Sequence, residues 1–179
     1  MRGFGTSAPF AGLAFVLALL AAGPGASQDK PPQDKPAKTQ EDGKWFDADG
    51  APTYNITVDG KVDWYTYSGF RRYHSECHVC HGPEGEGSTY APALVQSLKT
   101  MKYPEFMEVV ASGRTVDRPD KTSVMPALGD NPNVMCYIDD IFVYLKARAD
   151  GAIPRGMRPE RGVEKPETAT KDEKACMGS

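Results

Sequence analysis

Cys77-His78-Val79-Cys80-His81, followed at once by Gly82, sets two thiols three residues apart with an imidazole directly after the second. On a helical turn, positions three apart share a face, so both thiols can reach the two vinyl groups of a single porphyrin. The histidine that follows then points its ring at the iron from the same side. This is the attachment signature of one covalent c-type haem. The rival reading is a zinc half-site. The chain has only three histidines, His74, His78 and His81, and its other cysteines, Cys136 and Cys176, are far apart in sequence. No second ligand pair with zinc spacing exists. His74 and His78 read as exposed or edge side chains.

Upstream, residues 1–26 read as a secretory signal peptide. Arg2 gives a positive start, Phe10 to Ala22 is an uncharged apolar run, and small residues follow at Gly23, Gly25 and Ala26. That run is shorter than the roughly 20 residues that span a bilayer. A membrane association is therefore expected only if the signal stays uncleaved. Residues 27–44 are rich in Pro, Lys, Gln and Asp and almost devoid of large apolar side chains. Such a segment buries too little surface to offset its ordering entropy, so it reads as a disordered linker. Residues 156–179 turn polar again and read as a C-terminal tail, which leaves 45–155 as the one folded domain. With 21 Lys+Arg against 24 Asp+Glu, the chain is mildly acidic, and it has no basic run interleaved with aromatics. Nucleic-acid binding has no support.

Within 45–155, Tyr54, Ile56 and Val58 alternate with polar residues ahead of Asp59-Gly60, which predicts a short β-hairpin ending at Val62. Asp63 caps an expected helix to Tyr73, with Trp64, Tyr67 and Phe70 at helical spacing. Gly69 inside it costs about 1 kcal/mol relative to Ala, which calls for a packing reason such as a second helix crossing closely. After the Gly-rich turn 82–88, short helices are expected over 94–100 and 104–112, the latter with Pro104 in its first turn and Gly113 ending it. Residues 114–124 read as polar loop. A long helix is expected from Pro132 to Arg148, capped by Asn131 and ended near Gly151.

These pieces resemble a class I cytochrome c, a mainly α fold in which N- and C-terminal helices cross and the haem lies between them, here with a short N-terminal β-hairpin extension. The matching residues are Gly69, Tyr73 and Cys77 in the first helix and Ile141 to Leu145, with Tyr144, in the last. The resemblance implies that the Pro92 carbonyl accepts the ring N–H of His81, a bond that fixes the tautomer and raises ligand basicity. It also implies that Met125, ahead of Pro126, is the second axial iron ligand beside His81, with Gly82 and Tyr73 completing the cofactor surroundings. The competing reading of Met125 is a core methionine.

The runs YHSECHVCHGPEGEGSTYAPAL and VMPALGDNPNV, with the extra pair Cys136 and Cys176, are similar to the four-cysteine, methanol-metabolism-related c-type cytochromes of methylotrophic bacteria. That likeness implies a periplasmic protein of a Gram-negative bacterium that is no enzyme. Its donor would be a PQQ-dependent methanol or alcohol dehydrogenase, and its acceptor another cytochrome or an oxidase. Two rivals remain: a haem peroxidase or ligand sensor whose methionine is displaceable, and a haem subunit bound permanently to a dehydrogenase. Cys136 and Cys176 are left as one possible disulfide, as two free thiols, or as the source of an intermolecular bond.

Overall fold

The computed structural model describes residues 39–178. The signal-peptide reading of 1–26 and most of the linker reading fall outside them. Among the described residues, no helix is long and apolar enough to cross a membrane.

The chain opens with a small antiparallel sheet, β1 (Thr39–Glu41), β2 (Lys44–Phe46) and β3 (Pro52–Thr53), in that order. The end of the expected linker is thus a strand: Asp42 and Gly43, both at positive φ, turn the chain back so that Gln40 pairs with Trp45. The hairpin expected over 54–62 shrinks to a turn at Thr57–Gly60 and one bridge, Ile56 to Val62. Val62 instead exchanges backbone bonds with the C-terminal segment, donating to Glu160 and accepting from Gly162.

Helix α1 (Trp64–Glu76) starts where the sequence places it. The Asp63 carboxylate accepts from the Thr66 amide at 3.0 Å and from the Thr66 hydroxyl at 2.6 Å. This satisfies a first-turn N–H that has no partner inside the helix. Short helices α2 (His78–His81) and α3 (Leu94–Ser97) follow, then α4 (Tyr103–Ser112), which ends at Gly113 with φ 74°. Residues expected as polar loop form a regular hairpin, β4 (Arg114–Arg118) and β5 (Lys121–Met125), closed at Pro119-Asp120.

The expected long helix is two: α5 (Pro132–Met135) and α6 (Ile138–Ala149). The break falls at Cys136-Tyr137, where Tyr137 leaves helical geometry (φ −130°, ψ 20°) and buries its ring beneath the Arg72 guanidinium, 3.5 Å away. Helix α6 crosses α1 at Gly69. Tyr144 meets Phe70 edge-on at 5.7 Å and Tyr73 at 5.5 Å. With Ile141, Leu145 and Leu98 these rings form the centre of the core. Beside the crossing, burial pushes the Asp140 carboxyl up to about 7, against the pull of the Ser68 hydroxyl and the Lys44 ammonium.

The polar tail is not loose. Residues Glu167–Met177 form helix α7, Ala169 is buried, and Cys136 and Cys176 are bonded to each other across 40 residues. Closing a loop of that length stabilises by about 4 kcal/mol in the chain-entropy model. Cys176→Ser is therefore expected to lower the thermal midpoint and to open 156–178 to protease under native conditions. Equal protease resistance in the variant and the parent would show that the tail is held by its other contacts alone.

Candidate haem site

An apolar cleft of about 440 Å³ opens between α2, α3, α4, the β4–β5 hairpin and α6. Cys77, Cys80, His81, Pro92 and Met125 all line it, and Leu94, Leu98, Phe106, Ile141 and Leu145 supply much of its apolar wall. The structure thus brings together five of the seven cofactor residues expected from the sequence. Tyr73 and Gly82 stand behind the cleft and do not line it. Tyr73 is fully buried against Tyr144, and its hydroxyl donates to the Gly82 carbonyl. It therefore braces the turn that carries His81. Burial, with the nearby Cys77 and Tyr144 groups, holds its phenol well above the ordinary range.

His81 is buried, and its Nδ1–H donates to the Pro92 carbonyl at 3.0 Å. A carbonyl only accepts, so Nδ1 carries the proton of this bond and Nε2 is the nitrogen left to ligate a metal. The turn is fixed from both sides. Gly87 N–H donates to the His81 carbonyl at 2.8 Å, and Gly82 takes φ 78° so tightly that a Cβ there would lie 2.7 Å from the Gly87 carbonyl oxygen. Burial pushes the Cys77 thiol up to about 12, so it sits in the wall as a neutral sulfur.

Met125 reaches the cleft because the hairpin ends there. It pairs with Arg114 across the base of the hairpin, beside Gly113. A Cβ on Gly113 would lie 2.7 Å from both the Met125 carbonyl oxygen and the Ala127 nitrogen. The following residues are strapped to the end of α4: Leu128 N–H donates to Val110 and Gly129 N–H to Ala111, each at 3.0 Å. At the hairpin tip, the Lys121 ammonium donates to the Thr89 carbonyl, closing the hairpin over the cleft. Val79, Tyr90 and Val124 are strongly exposed, the last two at the cleft mouth.

The residues fit an iron porphyrin. The wall is apolar, two thiols have attachment spacing, one imidazole is held with its lone pair free, and one thioether lines the same space. The wider support of the site carries no motif in the sequence. Arg148 is buried, donating to the carbonyls of Ile153 (3.3 Å), Pro154 (2.6 Å) and Met157 (2.7 Å) and to the Tyr144 hydroxyl (3.2 Å). It also pairs at 3.7 Å with Glu84 of the haem turn, which accepts from Gly156 N–H at 2.7 Å. In the sequence, Arg148 reads only as a cation near a helix C-terminus. His74 and His78 are half-buried edge residues with stacked rings, away from the cleft lining.

No family model matches the chain. Among curated proteins it is 52% identical over 145 residues to cytochrome c-553I of Paracoccus denitrificans, covering 81% of this chain and 64% of that protein's length. It is 39% identical over 107 residues to cytochrome c-555 of Methylococcus capsulatus, covering 59% of this chain and 77% of that one. The crystal structure of the c-type cytochrome XoxG from Methylobacterium extorquens AM1 superposes with a TM-score of 0.72 at 59% identity, covering 78% of this chain and 85% of that one. The chain belongs to the c-type cytochromes, proteins that bind haem c covalently.

Proposed function

We propose that this protein is a periplasmic carrier of single electrons, not an enzyme. Cys77 and Cys80 would hold the haem as thioethers, and His81 and Met125 would be its iron ligands. The donor is a PQQ-dependent methanol or alcohol dehydrogenase, and the acceptor is another cytochrome or an oxidase. The observation that carries this reading is the presence of His81 and Met125 on one apolar cleft with both thiols. Bound there, haem supplies one-electron Fe(III)/Fe(II) exchange. With His81 and Met125 both on the iron, the chain would leave no coordination site for a substrate, and a Met/His pair would raise the potential.

The residues around the iron then have definite tasks. Pro92 holds His81 in the ligating tautomer. The hairpin keeps Met125 in place and water out. Cys80, Val79, Tyr90 and Val124 form an exposed, partly apolar margin near the attachment side, suited to brief encounters that bury little surface. The likeness to the four-cysteine, methanol-metabolism-related cytochromes supports the choice of donor.

The ferric protein is expected to show the weak long-wavelength Met–iron band. Met125→Ala should lose that band, bind CO when reduced, and have a lower midpoint potential. A parent protein without the band, or one that binds CO readily, would favour the peroxidase or sensor reading. Mixing with reduced dehydrogenase tests the donor separately. A protein with the band that takes up no electrons removes that partner and leaves the carrier standing. Copurification with the dehydrogenase would point to a bound haem subunit.

A further inference from the structure

Away from the haem cleft, a polar groove of about 200 Å³ lies between α1 and the C-terminal segment. Its floor is one stripe of α1: Trp64, Ser68, Arg71, Arg72 and Ser75 recur at spacings that put them along a single helix face. Its other wall is Lys165 and Glu173, flanking the start of α7 and within it.

The charges here do not balance. Lys165 and Glu173 are paired with each other. Arg71 and Arg72 have no carboxylate partner among the described residues. Arg161 and Lys165 both place their cations 5.6 Å from the Trp64 ring, and Arg161 is paired with Glu164 at 2.9 Å. The indole N–H of Trp64 is itself buried without an acceptor among the described residues. In a chain of net charge −3, two unpaired guanidiniums, Arg71 and Arg72, and one unsatisfied indole donor are left here. Cations crowded this way repel one another, and the low-dielectric floor beneath them strengthens that repulsion. One of them is restrained: the Arg72 guanidinium lies 3.5 Å from the Tyr137 ring centre, and the same residue lines the groove. A planar guanidinium fixed in this way suits paired bonds to an oxyanion. The Ser75 hydroxyl, bonded to the Arg71 carbonyl at 3.2 Å, lies on the same wall. The volume is several times the ~30 Å³ share of one water, enough for a tetrahedral anion with part of its hydration.

We propose that this groove binds a small oxyanion of the phosphate class, held by the two arginines of α1, with Lys165 shared between the anion and Glu173, the one carboxylate lining the groove. The site is independent of the iron. It is completed by the C-terminal segment, which the Cys136–Cys176 bond holds against the end of α5.

The test is calorimetric titration of the haem-loaded protein with inorganic phosphate in a low-salt, sulfate-free buffer. A saturable one-to-one isotherm is expected, weakened at least tenfold in Arg71→Gln and again in Lys165→Gln, and unchanged in Arg118→Gln on the exposed β4–β5 hairpin. Arg71 is exposed and in no ion pair, so its variant keeps the fold even if Arg72→Gln, which loses the Tyr137 contact, does not. No saturable binding overturns the proposal. So does binding that Arg71→Gln and Lys165→Gln leave intact, which would place the anion elsewhere, or a loss in Arg118→Gln as large as in Arg71→Gln, which would reduce it to general charge screening.

Discussion

Gly69→Ala is expected to destabilise the protein by about 3 kcal/mol, and so to lower its thermal midpoint by about 10 °C. Two effects oppose each other. In an isolated helix Ala is better than Gly by about 1 kcal/mol, so helix propensity alone predicts a gain. In this helix a Cβ at Gly69 would lie 1.7 Å from the Asp140 carbonyl oxygen, 2.4 Å from its carbon and 2.9 Å from the Tyr144 Cβ. Two of those three atoms are backbone and cannot rotate away. Helices α1 and α6 must move apart, which loosens Tyr73 and Tyr144 together and, through the Tyr73 hydroxyl, the turn behind His81. The clash therefore outweighs the propensity. Gly60→Ala is the control: it carries φ 80° with nothing within 4 Å of the added carbon, so it costs only backbone strain, about 1 kcal/mol. Thermal melts of the haem-loaded variants check both. A Gly69→Ala protein as stable as its parent would mean that the helices do not cross this closely.

The sequence made that crossing legible because a glycine in mid-helix is anomalous by itself, and the aromatic residue four positions on supplied its partner surface. Cys77 to His81 was legible for a similar reason, since the chemistry of attachment needs that spacing and little else does. Pro92 and Met125 were reached only through family likeness, because a carbonyl acceptor and a thioether carry no pattern of their own. The hairpin that delivers Met125 was missed. Every residue of β4 is exposed, so Arg114 to Arg118 shows no buried face, and only Pro119-Asp120 hinted at a turn. The break at Cys136-Tyr137 was missed because nothing in local propensity opposes a continuous helix there. It arises from tertiary contacts, the Arg72–Tyr137 stack beside a disulfide. Helix α7 buries little besides Ala169, which is why its residues read as solvated tail.

Arg148→Met is expected to cost about 3–5 kcal/mol, the usual range when one partner of a buried charged network is removed. The side chain is 4% exposed and donates to three carbonyls and one hydroxyl while facing Glu84. Methionine fills most of the volume but donates nothing. The carbonyls of Ile153, Pro154 and Met157 then lose their donor at once, and Glu84 keeps only Gly156 N–H and a distant Arg155 at 3.9 Å. Arg148→Lys keeps the charge, yet one ammonium cannot reach acceptors spread around a planar fork, so an intermediate loss of about 2 kcal/mol is expected. Glu84→Gln should be mild, near 1 kcal/mol, because its side chain is 23% exposed and an amide oxygen still accepts from Gly156. The order Met, Lys, then Glu84→Gln in chemical denaturation is the signature of a donor network. A Glu84→Gln loss as large as that of Arg148→Met, with Arg148→Lys close to the parent, would instead make the ion pair the dominant contribution, and a Met variant within 1 kcal/mol of the parent would show that water replaces the guanidinium. The network closes on the haem turn, so the largest loss should also be seen at the iron. Arg148→Met should release the proximal turn from residues 153–157 and broaden the Met–iron band, while Arg148→Lys leaves it sharp.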